Sequence, residues 1–346
     1  MPLIETNLKK SFFSPEMKLF LASLILQFLF YSVLSLPTTT DPCDPATQPN
    51  PKTLRSDQIT VLINGYSESR IPLLQSIAAA YSSIPSVAAV LVLWGNPSTA
   101  AKTISELAHN LTIFSFSASI SLIRQSSSSL NSRFLPRPSI QTRAVLICDD
   151  DVEIDSKSVN FAFRIWQSNP DRLIGFFARS HDMDLSSKEW IYTVHPEKYS
   201  IVLTKFMIFK TEFLFRYSCG GGSAMVRMRG VVDRARNCED ILMNFVVADE
   251  TNAGPILVGA KRARDWGDKR NDDGADGRRR LRGQVMEVGL SSRRGKHRKR
   301  RGKCINEFHR VLGRMPLRYS YGKVVDSVGE QGLCSKGGKL VFCDHF

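Results

Sequence analysis

Ala144-Val145-Leu146-Ile147-Cys148-Asp149-Asp150-Asp151 sets five apolar residues directly before three consecutive carboxylates. The apolar run is too short for a helix and reads as a strand buried on both faces. Buried strands do not tolerate charge, so the acids must begin where the strand ends. In open α/β sheets, ligands gather beyond the carboxyl ends of the strands. Three adjacent carboxylates there repel one another unless a cation holds them. Hard oxygen ligands suit Mn²⁺ or Mg²⁺, and such ions usually bring a phosphorylated substrate. An acidic surface turn would also produce the triplet, but the buried strand in front of it favours the ligand reading.

The chain of 346 residues can bury a full core as one large α/β domain or as two halves. Its beginning is less ordinary. Lys9, Lys10 and Lys18 precede residues 19–36, an uncharged and mostly apolar stretch long enough to cross a membrane. Basic residues on its N-terminal side predict a cytosolic tail (1–18), an uncleaved type II signal anchor (19–36) and a lumenal remainder. A cleaved signal near Ser35 or Leu36 is the alternative, and it leaves the domain lumenal too. Residues 37–57, rich in Pro and Thr, read as a stem, and 58–346 as the domain.

Seven cysteines fit an oxidising compartment, and the odd number leaves at least one unpaired; Cys148, inside the buried strand, is the candidate. Asn110-Leu111-Thr112 is a glycosylation sequon that lumenal placement makes usable. The net charge of +14 is uneven: a basic insertion at residues 261–303, read as a loop, holds 17 Lys/Arg against 6 Asp/Glu. Arg293 to Arg301 resembles a nuclear or nucleic-acid signal, but a signal anchor excludes that use. No nucleic acid is expected, and the polyanions within reach are nucleotide-sugar diphosphates, lipid head groups and acidic glycans.

Along the chain, strands are predicted at Ile59–Asn64 and Val87–Trp94, around a helix in which Ile71, Leu74, Ile77 and Tyr81 recur at helical spacing. That is a βαβ unit with a right-handed crossover. A helix over 99–110 and a Ser-rich loop over 115–132, holding a short strand at 120–123, follow. Asp155 caps a helix running to Ser168; strands are predicted at 173–177 and, as one long element, at 199–209. Asn237-Cys238-Glu239-Asp240 opens another helix, 268–282 is expected to be disordered, and 305–312 is helical again.

Taken together, several motifs resemble the exostosin-like glycosyltransferases of family 64. They are Thr60-Val61-Leu62-Ile63, Val92-Leu93-Trp94-Gly95-Asn96, Leu130-Asn131-Ser132-Arg133-Phe134, the acidic triplet, Phe161 to Trp166, Asn237 to Phe245 and Met315 to Ser320. Ser187 to Pro196, Arg264-Asp265-Trp266-Gly267-Asp268 and Ser327 to Cys334 are similar to the plant branch, the glycosyl inositol phosphorylceramide mannosyltransferases. The resemblance implies a GT-A fold and a Golgi enzyme that moves mannose from GDP-mannose to a sphingolipid head group, retaining the anomeric configuration.

It also implies roles. Asp151 would ligate Mn²⁺, with Mg²⁺ the alternative ion, while Asp149 and Asp150 hold the ribose and the ion. Asp240 matches an essential carboxylate beside the transferred sugar, and Arg301 an arginine contacting diphosphate or sugar. Cys238 and Cys304 match a disulfide that brings those two residues to one pocket. Asn96, Asn131 and Arg133 match nucleotide-side positions, and Trp190 the acceptor-side segment. Where the family has an arginine after Tyr66 this chain has Glu68, with Arg70 as the substitute. Two alternatives stay open: an N-acetylhexosaminyltransferase using a UDP-sugar, and a non-catalytic lumenal partner binding anionic lipid or glycan.

Overall fold

The computed structural model describes residues 41–44, 46, 49–267, 294–326, 333–336 and 339–342. The expected anchor at 19–36, most of the stem and the segment 268–293 lie outside them. Among the described residues no helix is long and apolar enough to cross a membrane. The chain divides into two compact units, Met1–Thr47 and Gln48–Phe346. In the first, the described residues form a turn closed by Asp44 N–H donating to Asp41 O at 3.0 Å.

The second unit starts with β1 (Arg55–Gly65), α1 (Ile71–Ser82), β2 (Val87–Trp94), α2 (Ala101–Ile113), β3 (Ser119–Arg124) and β4 (Thr142–Asp149). β1 pairs in parallel with β2 on one side and β4 on the other, and β3 extends the sheet beyond β2. The chain thus runs outward through β2 and β3, then returns across β1 to lay down β4. That reversal is a topological switch point, and it opens a crevice beyond the ends of β1 and β4. Asn64 and Asp149 are register partners at its rim.

After β4 come β5 (Val152–Ile154), α3 (Ser156–Ser168), β6 (Ile174–Gly175), β7 (Ala178–Asp184), β8 (Glu189–Thr193), β9 (Lys198–Tyr199), β10 (Ile201–Val202) and β11 (Phe206–Lys210). Next are α4 (Glu212–Ser218), α5 (Gly222–Ala235), α6 (Glu239–Thr251), β12 (Ile256–Leu257), β13 (Ala263–Asp265), α7 (Arg294–Leu312) and β14 (Ser320–Tyr321). The main sheet has the order β12-β6-β11-β4-β1-β2-β3, and β10-β7-β8 form a second, antiparallel sheet.

Both faces of the main sheet are buried, as the continuous apolar strands require. Val145 and Ile147 of β4 face a core shared with Val232 of α5, Phe245 of α6 and Phe308 of α7. Ala144, Leu146 and Cys148 face the opposite core, with Leu74 and Tyr81 of α1 and Val159, Phe163 and Trp166 of α3. The period of two along one strand therefore feeds two helical layers. Asp155 caps α3, its Oδ1 accepting from Ser158 N–H at 3.0 Å. Cys148 is free and buried. This is the α/β GT-A architecture that the resemblance implies.

Three expectations change. The long strand at 199–209 is three short ones: β9 pairs with β14, β10 with β7, and β11 with β4 and β6. Thr204-Lys205 breaks the run, so the apolar residues serve three sheets in turn. Strand 173–177 is reduced to β6, because the chain leaves the main sheet there for the second one. At Gly175 a Cβ would stand 2.2 Å from Val202 Cγ1, so only glycine lets β10 cross so closely. Finally, the basic stretch 261–303 is not a single loop. It contributes β13, which pairs with β5, and the first turns of α7, extending the helix expected at 305–312 back to Arg294.

Candidate active site

The switch-point crevice is a cleft of about 1190 Å³, and most residues singled out by sequence line it. On one wall stand the three acids ending β4. Arg70, the last residue of the 3-10 turn Glu68–Arg70, places Nη1 2.9 Å from Asp150 Oδ1 and 2.9 Å from Asp151 Oδ2. Arg133, in the 3-10 turn Leu130–Phe134, sits with Nη1 3.1 Å from Asp149 Oδ1 and 3.3 Å from Glu239 Oε1. The acids still outweigh this compensation. Burial, aided by the charge of Asp149, pushes the Asp151 carboxyl up to about 7. Burial likewise raises Asp150 and Glu239.

The opposite wall is the start of α6 against α7. Arg301 donates from Nη2 to Asp240 Oδ2 at 2.6 Å and from Nη1 to Asn237 Oδ1 at 2.9 Å, with both ionised groups buried. Its guanidinium lies 4.5 Å from the ring centroid of Tyr192, and Asp240 Oδ1 also accepts from Ile241 N–H at 2.8 Å. Arg301, Cys304, Ile305 and Phe308 follow the i, i+3, i+4, i+7 spacing of a buried helix face. Asn306 fixes that helix to β8, accepting from Trp190 N–H at 2.9 Å and donating to Trp190 O at 2.7 Å. His297, one turn before Arg301, also lines the cleft; burial, with Arg301 adding to it, lowers it to about 4, so it is neutral.

The bridge between Cys238 and Cys304 implied by the resemblance is present and joins the residue before α6 to the middle of α7 across 66 positions. Cys238 stands at φ 80°, a left-handed conformation that costs a non-glycine residue energy and turns Glu239 and Asp240 into the cleft. Peptide mapping without reduction is expected to find the pair linked. Replacing both by serine should cost about 4 kcal/mol from the entropy of the opened loop. Two free thiols in the native protein would refute the bridge.

A third element was not foreseen as part of the site. β13 and the turn after it lie along the acidic wall, with Trp266 N–H donating to Asp151 O at 2.8 Å. Asp265 is buried and paired with Lys205. A Cβ on Gly267 would stand 2.4 Å from Asp151 Oδ2 and 3.4 Å from Asp265 Oδ1, so glycine leaves a gap bordered by two carboxylates. Among the described residues, no three His, Cys, Asp or Glu converge as a ready metal cage. The gap and its hard oxygens instead fit an ion held by one or two carboxylates, the remaining ligands being water and phosphate oxygens.

Other candidates lie elsewhere. Asn96 does not line the cleft: its Oδ1 accepts from Ser98 N–H at 3.0 Å, closing the turn after β2. Asn131 also stays out, donating to Arg229 O and Asp233 Oδ1 and accepting from Tyr217 Oη at 2.6 Å. The Asn96 amide is taken up by its own turn, and the Asn131 amide by α4 and α5. Trp190 packs between His181 and His309, ring centroids 5.2 and 5.8 Å away, while Tyr192 and Val194 of the same segment face the cleft. His195 pairs with Asp182. Asn110 sits near the end of α2, outside the cleft lining.

Sequence reasoning missed Glu239, Asn237, Tyr192, His297, Lys205, Asp265 and Gly267 as lining residues. Glu239 stood beside Asp240 as an undistinguished helix-opening acid. Asp265 and Gly267 lie in the motif Arg264 to Asp268, in which a single acid before Trp-Gly carries no local sign of a ligand site.

An α/β sheet with an acidic triplet at its switch point, faced by a buried carboxylate–arginine pair, is the framework of a glycosyltransferase. Residues 59–329 match the Glycosyl transferase family 64 domain. The chain belongs to that family. Glycosyltransferase family protein 64 C3 of Arabidopsis thaliana is 68% identical over 306 residues, covering 88% of this chain and 91% of the relative. Glycosylinositol phosphorylceramide mannosyl transferase 1 of Arabidopsis thaliana is 29% identical over 282 residues, 78% of this chain and 76% of that one. Exostosin-1 of Mus musculus is 35% identical over 207 residues, 58% of this chain but only 24% of that larger protein. The crystal structure of GalNAc-T7 with UDP, GalNAc and Mn²⁺ shares 10% identity, with a TM-score of 0.41 over 56% of this chain and 40% of that chain. That likeness is too remote to bear on the site.

Proposed function

We propose that this chain transfers mannose, with retention, from GDP-mannose to the glucuronate-bearing head group of glycosyl inositol phosphorylceramide, as a type II Golgi membrane protein requiring Mn²⁺. The observation that carries it is Asp240, a carboxylate fixed by Arg301 in the cleft that also holds the acidic triplet. The likeness to the Arabidopsis mannosyl transferase supports the transferred sugar and the acceptor class.

Asp240 stabilises the positive charge that develops at the anomeric carbon. Arg301 holds and aims that carboxylate; its two terminal nitrogens are committed to Asp240 and Asn237, so it acts through Asp240. Glu239 serves differently, bound by Arg133 and by Thr204 Oγ1 at 3.3 Å. One available carboxylate, without a paired acid, suits leaving-group-assisted transfer, in which the departing diphosphate takes the acceptor's proton. Asp151, with Asp265 beside it, would hold the metal ion, which when bound neutralises that diphosphate. Arg70, paired with Asp150 and Asp151 on the same wall of the cleft, is the cation placed to meet the donor phosphates.

A donor screen with Mn²⁺ tests the reading. GDP-mannose is expected to be hydrolysed slowly and to transfer mannose once the sphingolipid is added. Turnover of a UDP-N-acetylhexosamine in its place would make the chain exostosin-like; no turnover of any donor would make it a binding partner.

The acceptor carries a phosphodiester and a glucuronate. Lys296, Lys299, Arg300 and Lys303 are exposed on α7, the helix that presents Arg301 inward, while Arg298 lines the cleft. Neutralising Lys299, Arg300 and Lys303 together should raise the acceptor KM several-fold and flatten its salt dependence, leaving donor hydrolysis unchanged. Equal loss of donor hydrolysis would assign this face to the nucleotide sugar.

A further inference from the structure

Three large apolar side chains stand in solvent at one end of α2. Ile113, Phe114 and Phe116 are 63%, 43% and 69% exposed. The fold holds them there. Phe116 N–H donates to Ser82 Oγ at 2.8 Å, and the N–H groups of Ser117 and Ala118 donate to Ser82 O at 3.1 and 3.0 Å. Pinned in this way, the turn cannot swing Phe116 inward. Exposed apolar clusters on a secreted-type surface call for an occupant. No charged residue occurs from Asn110 to Ala118, so the patch offers nothing to a polyanion or an anionic membrane.

The sequon Asn110-Leu111-Thr112 is at the same place. α2 buries Leu107 and Leu111, which turns Asn110 toward its flank. Ile113 and Phe114 follow Asn110 by three and four residues and are its neighbours on the helix surface. Asn110 is half-buried, and among the described residues its side-chain amide has no hydrogen-bond partner. A sugar ring, with an apolar face and a hydroxylated rim, matches such a surface: it can cover aromatic rings and still face water.

We infer that Asn110 carries an N-linked glycan whose first sugar rings lie over Ile113, Phe114 and Phe116, closing apolar surface that the polypeptide leaves open. Attachment joins the Asn110 amide nitrogen to the anomeric carbon of a lipid-linked oligosaccharide. That carbon's bond to the lipid diphosphate breaks, and one amide proton goes to solvent. The inference rests on the lumenal placement proposed above.

The test uses the full chain made in a eukaryotic secretory pathway. Mass mapping is expected to find Asn110 occupied in the native chain and in Thr112→Ser, and empty in Thr112→Ala. Hydroxyl-radical labelling of Phe114 and Phe116 should rise roughly twofold or more when the glycan is removed enzymatically. Labelling of Tyr321, 71% exposed and in another part of the chain, should stay constant. Leu185→Asn creates a sequon at a site 83% exposed and reports compartment independently. Occupancy at 185 with Asn110 bare would overturn the inference while leaving the lumenal reading intact. Neither site occupied would overturn both. Asn110 occupied but labelling unchanged on deglycosylation would overturn the shielding.

Discussion

Arg301→Ala is expected to abolish sugar transfer and donor hydrolysis together, and to lower stability by about 3–5 kcal/mol, the usual cost of breaking a buried ion pair. Asp240 is almost fully buried beside Arg301, so removing the guanidinium leaves a carboxylate in the protein interior without its counterion. Neither its position nor its charge would then be supported where the reaction needs them. Asp240→Asn preserves the shape and leaves Arg301 as the uncompensated member; a fall in kcat of about 10²–10³ is expected, as for loss of one transition-state charge partner. The double variant Asp240→Asn, Arg301→Ala should be far less destabilised than the two single changes added together, since the pair acts as a unit. Urea titration and single-turnover kinetics on all three proteins check this. A stably folded Arg301→Ala that still hydrolyses donor would show that Asp240 does not depend on it.

Metal removal should have the second largest effect. Activity is expected to vanish in chelator and to return with Mn²⁺, and Asp151→Ala should not be rescued by any concentration of the ion. Gly267→Ala is the sharper variant, because it deletes no ligand. Its methyl group would stand 2.4 Å from Asp151 Oδ2 and must displace either that carboxylate or the turn bearing Asp265. Mn²⁺ affinity, read by the spin resonance of the free ion, should fall about 10–100-fold, the range seen when the support of a metal ligand is disturbed. The Asp265→Asn variant should weaken binding in the same assay and free Lys205. Full activity in chelator would exclude the metal role outright, and unchanged Mn²⁺ affinity in Gly267→Ala would place the ion elsewhere in the cleft.

The fold was legible wherever burial follows a local period. β1, β2, β4 and α3 lie close to where apolar spacing predicts them, because each must bury a stripe or both faces against a layer that any α/β domain supplies. Legibility failed where a run of apolar residues was divided among sheets. Nothing local in residues 199–209 says that β9, β10 and β11 belong to three different sheets; the partners of each strand are distant in sequence. The helical character of 294–303 was hidden as well. That stretch is so basic that the residues described as turned inward, His297 and then Arg301 and Gly302, form no apolar stripe.

The sequence by itself determined that three carboxylates end a buried strand, since no other arrangement keeps them out of the core. It also marked Asp240, Arg301 and the cysteine pair through their resemblance to known motifs. The tertiary structure alone decided what those residues do to one another. Asp240 and Arg301 are 61 positions apart, and Arg133 reaches both Asp149 and Glu239. Of Asn96 and Asn131, equally plausible in sequence, the first is taken up by its own turn and the second by α4 and α5. The physical reason is that burial is read from the spacing of neighbours, whereas an ion pair or a gap beside a glycine depends on distances set by packing between remote segments. No local pattern encodes those distances.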